Sequence, residues 1–238
     1  MKALVIDDER LARKELIKLL DEFAIMNVVG EAANADEALE LIEKHNPDLL
    51  FLDIQMPGKT GFELLEMLDK VPKVIFTTAY DEYALKAFEV NAFDYLLKPI
   101  DINRLTESID KLGEIEVSSV NQSDARKLGL QDQVFVKDGD KCWFVKLENV
   151  RYFESDGNYI KVFFDNVRPM IHKSLNALDE KLSDRDFFRA SRKHIINLSW
   201  VEDIESWFNG GLMVKLKGGD KLEVSRRQAA KFKERMSL

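Results

Sequence analysis

Asp53 stands at the end of the apolar run Leu49-Leu50-Phe51-Leu52 and is followed by Ile54-Gln55-Met56-Pro57-Gly58. An acid that abruptly ends a buried strand is costly unless its charge is used there. Asp7 and Asp8 end a second apolar run, Ala3-Leu4-Val5-Ile6. Lys98 ends a third, Tyr95-Leu96-Leu97, and precedes Pro99, while another run closes at Thr78. Converging carboxylates repel one another unless a divalent cation neutralises them. Mg²⁺ suits such a set, because it takes oxygen ligands, keeps several waters and uses one or two carboxylates with a phosphate oxygen. Beside it a carboxylate can attack a phosphoryl donor as a nucleophile. Lys98 and Mg²⁺ would balance charge on the transferring group, and the Thr78 hydroxyl would donate to a phosphoryl oxygen. Any one of these acids alone reads as a solvated strand end. Five matching residues at strand-linked positions do not.

The elements that must position them alternate. Apolar runs end near Ile6, Gly30, Asp53, Thr78 and Lys98, with helical patterns between. Leu16, Leu19, Leu20 and Phe23 fall at i, i+3, i+4 and i+7, and Ala35, Ala38, Leu39 and Ile42 repeat that spacing. Asn34 with Glu37, and Thr60 with Glu63, have the spacing of capping boxes. A last helix is predicted from about Asp101 to Leu112, with Ile102, Leu105, Ile109 and Leu112 facing inward. Five strands and five helices in alternation predict an α/β unit, a parallel sheet covered on both faces. Ligands of such sheets gather at the carboxyl ends of the strands, where the charged residues lie.

Past Glu114 the apolar rhythm fades into a small, polar stretch, Val117 to Ser123. The chain is therefore divided into 1–113, a linker at 114–130, and 131–238. The last part is predicted mostly β, with short strand-like runs separated by Asp138-Gly139, Asp156-Gly157, Asn209-Gly210-Gly211 and Gly218-Gly219. Ser174–Leu182 and the stretch from Ser225 onward are its expected helices. Trp143, Trp200 and Trp207 are expected to fill its core.

Bulk properties bound the classes. The 238 residues suffice for two modest domains. No apolar stretch approaches a membrane span, acids at positions 7 to 9 interrupt any signal-peptide core, and the single cysteine, Cys142, leaves no internal disulfide. These features point to the cytoplasm. Residues 1–120 carry 25 acidic and 13 basic side chains, whereas residues 121–238 carry 18 acidic and 22 basic ones. Two halves of opposite sign suggest different partners.

Residues 1–112 resemble the receiver domain of two-component response regulators. The resemblance is carried by Asp7-Asp8-Glu9, Asp53 with Met56-Pro57-Gly58, Thr78-Ala79, and Tyr95 with Lys98-Pro99. It implies a flavodoxin-like doubly wound five-stranded parallel sheet and a phosphoryl group accepted on Asp53 from a sensor histidine kinase. It also implies that Asp8, Asp53 and the Gln55 backbone carbonyl bind Mg²⁺, with Asp7 assisting through water. Thr78 and Lys98 would contact phosphoryl oxygens, and Tyr95 would be the aromatic that changes rotamer when Thr78 moves. A haloacid-dehalogenase-like phosphatase would need a second acid two residues after the nucleophile, where this chain has Gln55.

Residues 131–238 display polar groups at Glu154–Tyr159, three cations and His194 within Phe187–Asn197, and two arginines directly after Ser225. Ser225 with Gln228 is expected to form a capping box. Arginines in a first helical turn oppose the helix dipole, and they are easier to understand if phosphates arrive; the alternative is that Arg226 pairs with Glu223 or Asp220. His172 and His194 read as packing or surface residues, with no partners at metal-ligand spacing.

This half resembles the LytTR DNA-binding domain, through Phe135-Val136-Lys137, Tyr152-Phe153-Glu154 with Gly157-Asn158-Tyr159, Phe188-Arg189 with Asn197, and Val224-Ser225-Arg226. The runs Ala79 to Ala84 and Phe93 to Pro99 also look like those of receivers attached to this domain. The resemblance implies small β-sheets whose loops enter major grooves of duplex DNA. Asn158, Tyr159, Asn197 and Arg226 or Arg227 become the base-contact candidates, since Asn suits adenine and Arg suits guanine. Lys173, Arg189, Arg192 and Lys193 become candidates for phosphate positioning.

Together these readings describe a non-enzymatic, phosphorylation-dependent transcription factor, a homodimer when phosphorylated. The alternative from another class is a receiver controlling a protein- or RNA-interaction module. RNA recognition wants exposed aromatics for stacking, whereas the aromatics of this half follow strand-core rhythm.

Overall fold

The computed structural model describes residues 1–79, 92–116, 127–139 and 141–236. The chain divides into two compact units, Met1–Gln122 with Lys141–Phe144, and Ser123–Asp140 with Val145–Leu238. No helix among the described residues is long and apolar enough to cross a membrane.

The first unit holds strands β1 (Lys2–Ile6), β2 (Asn27–Ala32), β3 (Leu49–Asp53), β4 (Lys73–Thr78) and β5 (Asp94–Leu97). They form one sheet in the order β2-β1-β3-β4-β5, and every pairing is parallel. This is the doubly wound receiver topology expected from the alternation. β3 is buried at every position, as a strand covered on both faces must be. The helices are α1 (Arg10–Leu20), α2 (Ala35–His45), α3 (Gly61–Met67) and α4 (Ile102–Glu116). The helix expected between β4 and β5, and the Tyr80–Ala84 part of the expected motif, fall outside the described residues.

Both expected N-caps form. Thr60 and Glu63 make a reciprocal capping box on α3. On α2 the Asn34 side chain accepts from the Glu37 amide, but Glu37 reaches back to the Ala33 amide rather than to that of Asn34. Leu105, Ile109 and Leu112 of α4 pack into the sheet's core as expected. Ile102, the first residue of the helix, does not: it is 36% exposed. Ordered elements enter the expected linker from both sides. α4 continues to Glu116, and Leu128 exchanges backbone hydrogen bonds with Lys181 and Ser183.

The second unit contains β6 (Gln133–Asp138), the Val145–Lys146 end of β7 (Lys141–Lys146), β8 (Val150–Asp156), β9 (Tyr159–Phe164), β10 (Met170–Ile171), α5 (Leu175–Lys181), β11 (Phe187–Arg189), β12 (His194–Asn197), β13 (Val201–Ser206), β14 (Leu212–Leu216), β15 (Lys221–Val224) and α6 (Arg226–Arg235). One sheet runs β10-β9-β8-β12-β11 and another β13-β14-β15, with all the pairings antiparallel. Inward side chains of both sheets meet α6 through Phe232, which is edge-on to Phe188 at 5.0 Å. Trp200 packs against this core, but Trp143 is only half-buried and Trp207 is 39% exposed. Trp207 lies just past β13, in the connection to β14, where a 3₁₀ turn at Phe208–Gly210 reverses the chain.

α4 is fastened to β5 by Asp94. Its carboxylate accepts from the Tyr95 amide, the Ser108 hydroxyl, Arg104 and Lys111. Burial pushes this carboxyl up, but the Tyr95 amide, Ser108 and Lys111 outweigh it and hold it below the ordinary carboxylate range. A depressed carboxyl stabilises the fold above its unfolded pKa of about 3.9. That contribution is lost as pH falls through the folded-state value. Between about pH 5 and about pH 3, the urea midpoint of the wild type should therefore drop more than that of Asp94→Asn. Parallel decline of the two would show that Asp94 does not link this helix to proton uptake.

Candidate functional site

The carboxyl ends of β1, β3 and β5 bring their charged residues together. Lys98 Nζ lies 2.7 Å from Asp7 Oδ2 and 2.6 Å from Asp53 Oδ2. One carboxylate oxygen from each of Asp7, Asp8 and Asp53 falls within 4.8 Å of the others. Asp7 and Asp53 are buried, whereas Asp8 is exposed. The remaining oxygens are held by the chain itself: Asp53 Oδ1 accepts from the Gln55 amide at 3.0 Å, and Asp7 Oδ1 from the Glu9 amide at 2.9 Å. Thr78 is fully buried at the end of β4, and its carbonyl accepts from the Lys98 amide at 2.8 Å. The Lys98–Pro99 peptide bond is cis. Tyr95 is half-buried on β5, paired in register with Phe76.

The electrostatics are unbalanced in a telling direction. Burial raises the Asp53 carboxyl above its ordinary value, against the pull of Lys98 and the Gln55 amide, and Asp7 adds to the rise. Burial alone would lower the Lys98 ammonium, but hydrogen bonds to Asp53 and Asp7 raise it. One ammonium thus pairs with two of the three clustered acids, and a divalent cation would neutralise the remainder. The donors are hard oxygens on one open-sided cluster, which fits Mg²⁺.

Two residues not singled out from sequence complete this site. Arg13 on α1 is buried, pairs with Glu31, and donates from Nη1 to the carbonyls of Asp7 and Asp8 at 2.7 and 3.3 Å. It holds the turn that carries both acids. Gly61 starts α3 against the end of β3, donating to the Ile54 carbonyl at 2.9 Å. A Cβ there would stand 2.4 Å from the Asp53 carbonyl oxygen, so only glycine allows the close approach.

In the second unit, Asn158 and Tyr159 are exposed at the β8–β9 turn, and Lys173 is exposed ahead of α5. Arg192 and Lys193 are exposed in the β11–β12 turn, and Arg226 and Arg227 open α6. Backbone hydrogen bonds tie these places together: Ser155 N donates to Lys193 O at 2.8 Å, and Ser225 N to Ala190 O at 3.0 Å. Asn158, Lys173, Arg189 and Arg192 line one groove of about 640 Å³. Asp220 pairs with Arg151, not with Arg226. The expected capping box at Ser225 does not form, because the Ser225 carbonyl rather than its side chain accepts from the Gln228 and Ala229 amides.

Two expected DNA contacts are corrected. Asn197 is fully buried; its Nδ2 donates to the carbonyls of Leu147 and Val150, and its Oδ1 accepts from the Ser199 amide and hydroxyl. It is a structural bracket between β12 and the chain entering β8, with no atom left for a base. Arg189 is half-buried and spends its donors on the protein, so it is not presented to a phosphate.

Residues 3–110 match the family described as the response regulator receiver domain, and residues 140–237 match the LytTr DNA-binding domain. The sensory transduction protein LytT of Enterococcus faecalis is 36% identical over 241 residues, covering all of both chains. LytT of Bacillus subtilis is 32% identical over 241 residues, again covering both entirely. The solved response regulatory domain of mrkE from Klebsiella pneumoniae is 33% identical, covers 50% of this chain and 100% of that one, and superposes with a TM-score of 0.46. The chain belongs to the LytTR family of response regulators. The acid cluster thus falls within its receiver, and the groove within its LytTR domain.

The role of Asn197 in this response regulator can be checked by stability. Asn197→Ala leaves buried carbonyls without donors and should cost roughly 2–5 kcal/mol in chemical denaturation. Arg192→Ala, at an exposed turn, should cost less than about 0.5 kcal/mol. Near-wild-type stability of Asn197→Ala would return Asn197 to the list of surface contacts.

Proposed function

We propose that this response regulator accepts a phosphoryl group on Asp53 from a sensor histidine kinase and thereby controls sequence-specific binding to duplex DNA. The observation that carries the first step is the Asp53 carboxylate held 2.6 Å from Lys98 beside two further acids. In that step a carboxylate oxygen of Asp53 attacks phosphorus, the bond to the donor's leaving group breaks, and an acyl phosphate forms. Lys98 keeps its ammonium against the transferring oxygens, and Thr78 offers its hydroxyl at the end of the neighbouring strand. Mg²⁺ held by Asp7, Asp8, Asp53 and the Gln55 carbonyl would supply positive charge to the phosphoryl group. Asp7 and Asp53 exclude solvent from the inner side of the site by being buried, while exposed Asp8 leaves the donor a way in.

The chain is then a phosphoacceptor whose own site promotes transfer and slow hydrolysis, acting in the cytoplasm, rather than an enzyme with a turnover substrate. Phosphorylation biases a two-state equilibrium involving Thr78 and Tyr95, and the phosphorylated form is a homodimer that places two LytTR domains on paired half-sites. On the output side, Asn158, Tyr159 and Arg226 or Arg227 are the base-contact candidates, with Lys173, Arg192 and Lys193 on phosphates. Their exposure at turns linked by backbone bonds supports that reading.

The test uses the full chain with a small phosphodonor such as acetyl phosphate. Intact mass should show one added phosphoryl group in the presence of Mg²⁺, none with excess chelator, and none in Asp53→Asn. The phosphorylated wild type should sediment as a dimer and bind duplexes selected from a random pool more tightly than the untreated protein. A label retained in Asp53→Asn would sink the assignment of the acceptor. Binding that ignores salt would favour a protein-interaction output instead.

A further inference from the structure

Arg189 ends β11, and its guanidinium reaches two separate pieces of chain. Nε donates to the Ser191 carbonyl at 2.7 Å, and Nη2 to the Arg192 carbonyl at 3.0 Å. Nη1 donates to the Leu175 carbonyl at 2.9 Å, and Nη2 also to Asn176 Oδ1 at 3.2 Å. Four of the five N–H donors of an arginine are thereby used inside the protein. The first two acceptors belong to the turn that displays Arg192 and Lys193. The other two belong to the first turn of α5, directly after Lys173 and Ser174. Both pieces line the same groove, with Asn158 on a third side.

We propose that Arg189 is a positioning residue for nucleic-acid binding: it locks turn 190–193 to segment 173–176, so that Arg192 and Lys173 meet the DNA backbone as a preset pair. The proposal rests on the reading of this unit as a duplex DNA-binding domain. The planar fork matters more than the charge. A lysine carries three donors on a single nitrogen and cannot reach four acceptors on two separate pieces of chain as the guanidinium does. Without the lock, each cationic loop must be ordered on binding, and that ordering is subtracted from affinity.

A salt titration separates positioning from contact. Each phosphate contact contributes roughly 0.9 to the slope of log affinity against log salt. Full-length wild type, Arg189→Lys, Asn176→Ala, Arg192→Ala and Lys173→Ala are titrated with one selected duplex across a range of potassium chloride. Arg192→Ala and Lys173→Ala should each lose about 0.9 from the slope. Arg189→Lys should bind about tenfold more weakly at every salt concentration with the slope of the wild type. Asn176→Ala, which removes one of the four bonds from an exposed side chain, should do the same to a smaller degree. In the free protein, amide hydrogen exchange should quicken in 174–176 and 190–193 of Arg189→Lys, and stay unchanged in β12 and β14.

Arg189→Gln, titrated alongside, removes the charge as well as the fork, and a slope reduced by about 0.9 there would make Arg189 a direct phosphate contact and overturn the proposal. Unchanged affinity, or exchange that quickens throughout the unit, would overturn it as well. A wild type that binds no duplex in a salt-dependent way would instead defeat the DNA-binding reading, and the proposal with it.

Discussion

The receiver depends on one ammonium. Asp7 and Asp53 are buried carboxylates from different strands, and burying an unpaired charge is prohibitive. Lys98 Nζ, within 2.7 Å of both, makes the arrangement tolerable. It is supplied by a third strand, and its own amide is fixed to the Thr78 carbonyl on a fourth. The register of β1, β3, β4 and β5 is therefore constrained at its carboxyl end by charge as well as by packing. A slip of one residue would turn each acid to the other face and strand it without a partner. Because the single cation still leaves the acids in excess, the same arrangement that satisfies the fold keeps the site receptive to a divalent ion.

The output domain resolves its polar groups differently. Its strands are short and antiparallel, so many loop carbonyls lie near the interior and need donors. Asn197 supplies two carbonyls at once, and Arg189 supplies three carbonyls and an amide oxygen. Residues with these duties are withdrawn from the surface. What remains at the turns, Asn158, Arg192, Lys193, Arg226 and Arg227, is exposed. On the proposed reading, recognition would sit on side chains whose backbones are already fixed, which limits the entropy lost on binding.

The two halves differed in how much could be read from sequence. In the receiver, each functional side chain ends an apolar run, and parallel strands place all such ends on one edge. Asp7, Asp8, Asp53, Thr78 and Lys98 were legible for that reason. Arg13 and Gly61 were not. Nothing local distinguishes Arg13 from the other cations of α1, and the need for Gly61 arises only when the end of β3 comes within 2.4 Å of a Cβ position. In the LytTR domain the sheet order β10-β9-β8-β12-β11 joins distant segments. Whether Asn197 met a base or a backbone carbonyl depended on a contact nearly fifty positions away in the chain. Trp207 and Ser225 were misjudged for a related reason. Each sits where a strand ends, and its fate is set by the direction of the next turn rather than by periodicity.

A common device links the two units without any shared fold. Arg13 gathers the carbonyls of Asp7 and Asp8 in the receiver, as Arg189 gathers those of Ser191 and Arg192 in the LytTR domain. In both cases the acceptors are backbone groups of the residues proposed to meet the ligand, or of their immediate neighbours. A turn that presents charged side chains makes few apolar contacts of its own to hold it. A guanidinium reaching in from a neighbouring element can fix such a turn through its carbonyls, which leaves the presented side chains free. The positive charge near the acids of the receiver is also useful in itself, whereas in the LytTR domain burial disfavours the Arg189 charge and Asp179 offsets part of that cost. That a guanidinium takes adjacent backbone carbonyls in both settings, from Nη1 alone in Arg13 and from Nε and Nη2 in Arg189, argues that hydrogen bonding, rather than the charge, is what these positions require.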